Sequence, residues 1–421
     1  MNRALGSIRG MRTGEFGWTQ PSGVCKGQPW RFSYLVRASP FLIGSSELID
    51  RLQRPMQIRR IETFAQPQVG LLRITLSDGT EGWGQIASFE AADLVAAIVH
   101  RQLAPHLLGR IFESLPTLLG HLVDRTLKFH GSHISRATAA VETALVDALA
   151  SAADQSVSEW LGGHLRPVPI YGSSMLRTIK PYEEAERLSR LRDEAGFRAF
   201  KVRVGREAGH DVDEWPGRTE ALIPMVRNAL GADIVIHADG NSGYSPAEAI
   251  RVGRLLEEHG YGHFEEPCPY WNLHWTRQVT EALQMPVAGG EQDHNIAVWH
   301  AMIEDHVVDI VQPDICYIGG ITTALETARR AQARGLPCVP HCANHSLILV
   351  FTMHLWNALD LAGPFMEYSI EEQGLYAGLY DNPPRLIDGH LHFNLDGPGW
   401  GLRIGEDWLK RAAYQSSEPR P

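Results

Sequence analysis

The chain has 421 residues with a formal net charge of -10 at pH 7, 44% hydrophobic and 21% charged residues. That length allows two or three domains with ample core, the composition is that of an ordinary globular protein, and the lack of a clustered basic footprint argues against nucleic acid as a partner. Cys25, Cys268, Cys316, Cys338 and Cys342 form no paired framework, and no apolar run nears the roughly 18 residues of a membrane span, so a cytoplasmic protein in a reducing compartment is expected, with no membrane partner.

Residues 1–55 read as an N-terminal extension of unknown role; Met56 is either the start of the folded unit or the end of an arm. Gln57 to Phe64 alternates as a strand, Leu71 to Leu76 forms a second, and the turn Ser77-Asp78-Gly79-Thr80 leads into a third at Glu81 to Gln85. Helical patterns follow at about 91–108, 115–127 and 135–161. Strands followed by helices indicate an α+β domain, expected over 56–166.

From Pro167 the pattern becomes repeated strand-helix units. Strands are expected near 168–173, 196–205, 232–240, 261–266, 286–291, 307–314, 336–341 and 365–369, with amphipathic helices between them, so a barrel domain is placed at 167–370. A doubly wound open sheet is the alternative. The turn-rich segment 371–421 is expected to return to the first domain and extend it.

The polar residues at the strand ends form a series: Lys201 and Arg203, then Asp239, Glu265, Glu291, Asp314, His341 and Glu367. From Asp239 onward the steps are 26, 26, 23, 27 and 26 residues, the length of one strand-helix unit each time. In a closed parallel barrel such ends share one rim, where catalytic groups sit. Asp239, Glu265 and Glu291 are hard oxygen donors suited to a divalent cation.

These residues resemble those of the enolase superfamily, in its mandelate racemase branch. The resemblance is carried by Lys201-Val202-Arg203, Asp239-Gly240-Asn241, Phe264-Glu265-Glu266-Pro267, Gly289-Gly290-Glu291, Gln312-Pro313-Asp314, Pro340-His341 and Phe365-Met366-Glu367, and it spans roughly residues 56–407. It implies a modified TIM barrel, (β/α)7β, with an α+β capping domain built from N-terminal and C-terminal segments. It also implies Mg2+ held by Asp239, Glu265 and Glu291, and removal of a proton α to a carboxylate.

Family racemases carry a second lysine where this chain has Arg203, and a guanidinium is a poor base. Arg203 is therefore read as binding substrate or steadying the enediolate, and Lys201 as a base only if neighbouring cations lower its pKa. His341 with Asp314 matches the family dyad and can take the α-proton and return it to the departing hydroxyl. Glu367 is expected to hydrogen-bond the enediolate, which requires a raised pKa. Glu266 is expected to point the other way from Glu265 along the strand and to support the metal ligands rather than be one, His237 to be core, and the His341/His345 pair and His390-Leu391-His392 not to bind zinc.

The expected function is Mg2+-dependent dehydration of an acid sugar, a small-molecule carboxylate, to a 2-keto-3-deoxy acid, and a homo-oligomer is the expected assembly. The rivals are a racemase or epimerase on the same site, a non-catalytic binding protein, and, more distantly, a zinc hydrolase.

Overall fold

The computed structural model describes residues 52–87, 90–372 and 374–419, so most of the expected extension at 1–55 lies outside it. Alternating apolar residues build β1 (Met56–Ala65), β2 (Val69–Leu76) and β3 (Glu81–Ala87) into an antiparallel meander. The short β4 (Ile111–Phe112) pairs with the start of β1.

The helical pattern expected at 91–108 is not one helix. It divides into α1 (Ala92–Ile98), a π-helical turn at Val99–Leu103, and α2 (Ala104–Leu107). A π turn carries one extra residue in the ladder, and the turn includes the buried His100, whose ring meets Thr63 Oγ1 at 2.9 Å. There follow α3 (Leu115–Thr126), α4 (Ser132–Ala152) and α5 (Val157–Trp160).

Helix α4 lies directly on β3. A Cβ on Gly82 would fall 2.1 Å from the Ala144 carbonyl oxygen, and one on Gly84 would fall 2.1 Å from that of Ala140. Only glycine permits so close an approach of helix and strand backbones. The same helix reaches the second half of the chain through Glu142, which accepts from the backbone N–H groups of Ile321 and Thr322 at 2.9 and 2.8 Å.

That second half is the TIM barrel. β5 (Val168–Ser173), β6 (Ala199–Arg203), β7 (Val235–Asp239), β8 (Phe264–Glu265), β9 (Val287–Gly289) and β10 (Ile310–Val311) pair in parallel in that order, and β11 (Met366–Ser369) pairs with β5. The strand expected at 336–341 is reduced to single bridges from Cys338 to Val311 and Ala362. Pro337 and Pro340 flank Cys338, and without N–H groups they cannot extend a ladder.

The outer helices are α6 (Pro181–Ala195), α7 (Arg218–Leu230), α8 (Pro246–Glu258), α9 (Leu273–Ala282), α10 (Ile296–Glu304), α11 (Ile315–Ile318) and α12 (Ile321–Gln332). They are followed by α13 (Leu347–Trp356), which the sequence pattern does not reveal. Every residue of α13 is buried, so it has no polar face to create a helical period. After the barrel, the hairpin of β12 (Arg385–Ile387) and β13 (His390–His392) pairs with β5. Then α14 (Glu406–Arg411) leads to β14 (Ala413–Ser417), which pairs antiparallel with β1.

Candidate active site

Residues two apart on a strand share a face, and β6 thereby brings both Lys201 and Arg203 inward at the carboxyl end of the barrel. Lys201 is fully buried, with Nζ 2.5 Å from Glu265 Oε1, 2.8 Å from Glu367 Oε1 and 3.5 Å from Asp239 Oδ2. Arg203 pairs with Asp239 and donates through Nε to the Ser174 carbonyl at 3.1 Å. Glu367 is held from two sides, by Ser173 Oγ at 2.8 Å and the Cys342 N–H at 2.9 Å. Gln312 Nε2 donates to Glu265 Oε2 at 2.7 Å.

The opposite side holds the dyad. His341 Nδ1 donates to Asp314 Oδ2 at 2.8 Å, and Nε2 lies 3.4 Å from Glu291 Oε2. Asp314 is also the N-cap of α11: its Oδ1 accepts from the N–H groups of Cys316 and Tyr317. A carboxylate fixed in this way sets which imidazole nitrogen faces the site.

Charge then orders the protonation states. Burial alone would lower the Lys201 ammonium, but Glu265 and Glu367 outweigh it and hold the group well above the ordinary lysine value. The conditional expectation that Lys201 sheds its proton finds no support in the protein's own charges, because the carboxylates around it outweigh Arg203. The raised pKa expected for Glu367 is also reversed: burial pushes it up, but Lys201 and His341 bring it down to about 2. Burial would lower His341, yet Glu291 and the bond to Asp314 raise it to about 10.

Glu266 does not continue the strand. It takes φ 38°, in the left-handed region, which breaks the strand alternation after β8. Its carboxyl is pushed well up by burial and by the charges of Glu291 and Glu265, and Oε1 is buried without a partner. Periodicity predicts the face of a residue only while the strand continues.

Among the described residues no three His, Cys, Asp or Glu side chains converge on a common metal position. The donor set nonetheless has the chemistry for one: Asp239 and Glu265 are register partners at the ends of β7 and β8, Glu291 follows β9, and burial with the charge of Glu265 raises Glu291. Such crowding fits a hard divalent cation. His345 Nε2 instead donates to the Ser369 carbonyl at 3.0 Å, and its ring stacks on Tyr368, so it does not join His341. Burial raises the thiols of Cys268, Cys316, Cys338 and Cys342, which fits packing. His237 is buried and stacks on His263 with centroids 3.7 Å apart. Ser173 and Gln312 were not singled out as site residues by sequence, because a hydroxyl or an amide that orients a carboxylate leaves no spacing signature.

Residues 183–408 match the family described as "Enolase C-terminal domain-like", and residues 47–162 match "Mandelate racemase / muconate lactonizing enzyme, N-terminal domain". Arabinonate dehydratase from Saccharolobus solfataricus is 30% identical over 338 residues, covering 79% of this chain and 87% of that protein. A solved structure from Roseobacter denitrificans, described as a candidate racemase, is 49% identical with TM-score 0.84, covering 86% of this chain and 100% of that one. A mandelate racemase/muconate lactonizing protein from Paracoccus denitrificans, solved with magnesium, is 30% identical with TM-score 0.76, covering 86% of this chain and 98% of that one.

Proposed function

The chain belongs to the mandelate racemase/muconate lactonizing enzyme family of enolase-type barrels, and from that premise we propose that it is a hydro-lyase that removes water from an acid sugar to leave a 2-keto-3-deoxy acid. The observation that carries this reading is the asymmetry of the site. Lys201 is held as a cation between Glu265 and Glu367, whereas His341 keeps Nδ1 on Asp314 and presents Nε2 inward. One side is suited to binding negative charge and the other to moving a proton.

Asp239, Glu265 and Glu291 are the residues that would hold Mg2+, which when bound supplies Lewis-acid stabilisation of charge on the substrate carboxylate. Lys201 adds a fixed positive charge on the same side, and Arg203 adds hydrogen-bond donors beside it. His341 Nε2 takes the α-proton, and the C–H electron pair passes into the substrate carboxylate as an enediolate, from which the carbon-carbon double bond forms as the hydroxyl leaves. The β C–O bond then breaks, His341 returns its proton to the departing hydroxyl as water, and the enol ketonises. The imidazole must be neutral at the first step. Its pKa is raised first by Glu291 and then by the bond to Asp314, and the share from Glu291 would shrink if that carboxylate held Mg2+.

A racemase would need a second base on the Lys201 side, and the carboxylates around that ammonium oppose its deprotonation. Product analysis in D2O separates the two reactions. We expect keto-acid formation with no epimer; solvent deuterium in recovered, unchanged substrate together with epimer formation would favour the racemase. His341→Asn is expected to abolish turnover while Mg2+ binding is retained. Normal turnover of the true substrate by that variant would refute the base assignment.

A further inference from the structure

One cation at the rim has no task in this reading. Arg177 lies in the loop that leaves β5, and its Nη2 donates to Asn241 Oδ1 at 2.5 Å. Arg203 Nη1 donates to the same oxygen at 2.8 Å, so two guanidinium groups share one neutral amide oxygen. Asn241 is set for this role: it takes φ 39°, its N–H donates to Asp239 Oδ1 at 2.8 Å, and its Nδ2 lies 3.2 Å from Asp239 Oδ2.

The two arginines differ in charge pairing. Arg203 is matched by Asp239, whereas Arg177 forms no ion pair with a carboxylate among the described residues. Its Nε is buried without a hydrogen-bond partner. Burial, then Arg203 beside it, lowers its pKa to about 10, and Glu207 offers only a longer-range attraction. A largely buried guanidinium lacking a counter-charge is unfavourable by itself, and such a group calls for a ligand that supplies the charge.

We propose that Arg177 binds a second carboxylate, at the end of the substrate remote from the reacting carbon, so that the preferred substrates are dicarboxylic (aldaric) acid sugars. The proposal rests on the dehydratase reading for the sugar-acid skeleton, but not for the chemistry of this subsite. Lys201 is placed to serve the reacting carboxylate. Asp239, Arg203 and Asn241 stand between it and Arg177 in the chain of contacts, which puts Arg177 further out along the rim. A planar carboxylate matches the donor edge of a guanidinium in a bidentate manner, and Nε is a donor left for it. A monocarboxylic sugar acid would bring a hydroxymethyl group there and leave the cation uncompensated, which is a strong basis for discrimination.

The test compares galactarate with galactonate, which share a configuration and differ at C6, on the full chain with Mg2+. The same paired comparison is then run over the other six-carbon aldarate and aldonate stereoisomers. For each pair kcat/KM and calorimetric affinity are measured for wild type, Arg177→Met and Arg177→Lys; the lysine variant keeps a positive charge should the methionine variant fold poorly.

The accepted aldarate is expected to exceed its aldonate by at least about tenfold in kcat/KM. Arg177→Met is expected to reduce that ratio by at least about tenfold, mainly through KM, with Arg177→Lys between the two. A wild-type ratio near one in every pair, or a ratio unmoved by either substitution, overturns the proposal. Binding of an aldarate that depends on Arg177 but yields no keto acid would sink the dehydratase reading and leave the subsite standing. Dehydration of aldonates alone, independent of Arg177, would do the reverse.

Discussion

Asp314 Oδ2 stands 2.8 Å from His341 Nδ1, and the other oxygen of the same carboxylate starts helix α11 by accepting two backbone N–H groups. One side chain thus serves a helix and an imidazole. Asp314→Asn can keep the cap but removes the charge that orients and supports the ring. Turnover is expected to fall by about 10²–10⁴-fold, while stability falls by about 1–3 kcal/mol through the lost charge beside the buried imidazole. Steady-state kinetics and calorimetric unfolding of the same preparation check both halves; an unchanged kcat would contradict the role assigned to the pair.

Lys201 neutralises buried carboxylates from three strands. Its replacement by methionine leaves Glu265, Glu367 and Asp239 without that partner, and removing one member of a buried ion pair typically costs about 3–5 kcal/mol. Thermal unfolding of Lys201→Met without metal should show this loss. Saturating Mg2+ should narrow the gap to wild type, since Mg2+ held by Asp239 and Glu265 would supply charge to two of the three carboxylates that lose Lys201. A gap that is equally wide with and without Mg2+ would show that the destabilisation has another source.

Two histidines remote from the site tie stability to pH. His100 bridges Thr63 and Ser417 and is lowered to about 4 by burial. His354 accepts from the Ser158 N–H at 3.0 Å and is lowered to about 3, again by burial. Each binds a proton in the unfolded chain near pH 6.5 but not in the folded one, so its contribution is present above pH 6.5 and is lost as pH falls toward the folded value. Glu142 and Asp147, raised by burial to about 7, act in the opposite sense over part of that range. The clean observable is a difference. The pH slope of unfolding free energy between pH 4 and 6.5 should be shallower in His100→Asn than in wild type, by up to about one proton. Parallel slopes would remove His100 as a contributor.

Gly84→Ala forces a methyl group against the Ala140 carbonyl, which lies within a rigid helix and cannot swing aside. The cost should be at least about 1–3 kcal/mol. Denaturant titration measures it, with Gly79→Ala as the comparison, since a Cβ there meets nothing within 4 Å although φ is 88°. Equal effects from the two substitutions would mean that the helix contact at Gly84 costs no more than the left-handed φ at Gly79.

The repeat of strand-helix units, and the polar group ending each one, could be read from spacing because each unit has a similar length. What failed to show was whatever breaks or lacks a period. Helix α13 is buried on all sides, the segment around Cys338 is interrupted by prolines, and Glu266 leaves the strand through a left-handed φ. The protonation of Lys201 and Glu367 was likewise hidden, because it depends on distances between strands far apart in the chain. Arg177 carries no spacing signal, because its neighbours Asn241 and Arg203 come from other strand-helix units.

Helix α4 grips the chain just beyond Asp314: Ser135 Oγ donates to the Tyr317 carbonyl at 2.7 Å, Arg136 lies 3.5 Å over the Tyr317 ring, and Glu142 holds the start of α12. The two halves are therefore not interchangeable parts. A chimaera that carries a relative's first domain on this barrel would inherit a foreign clamp on the residues behind the dyad, and would need Ser135, Arg136 and Glu142 restored before its substrate range could be compared with that of either parent.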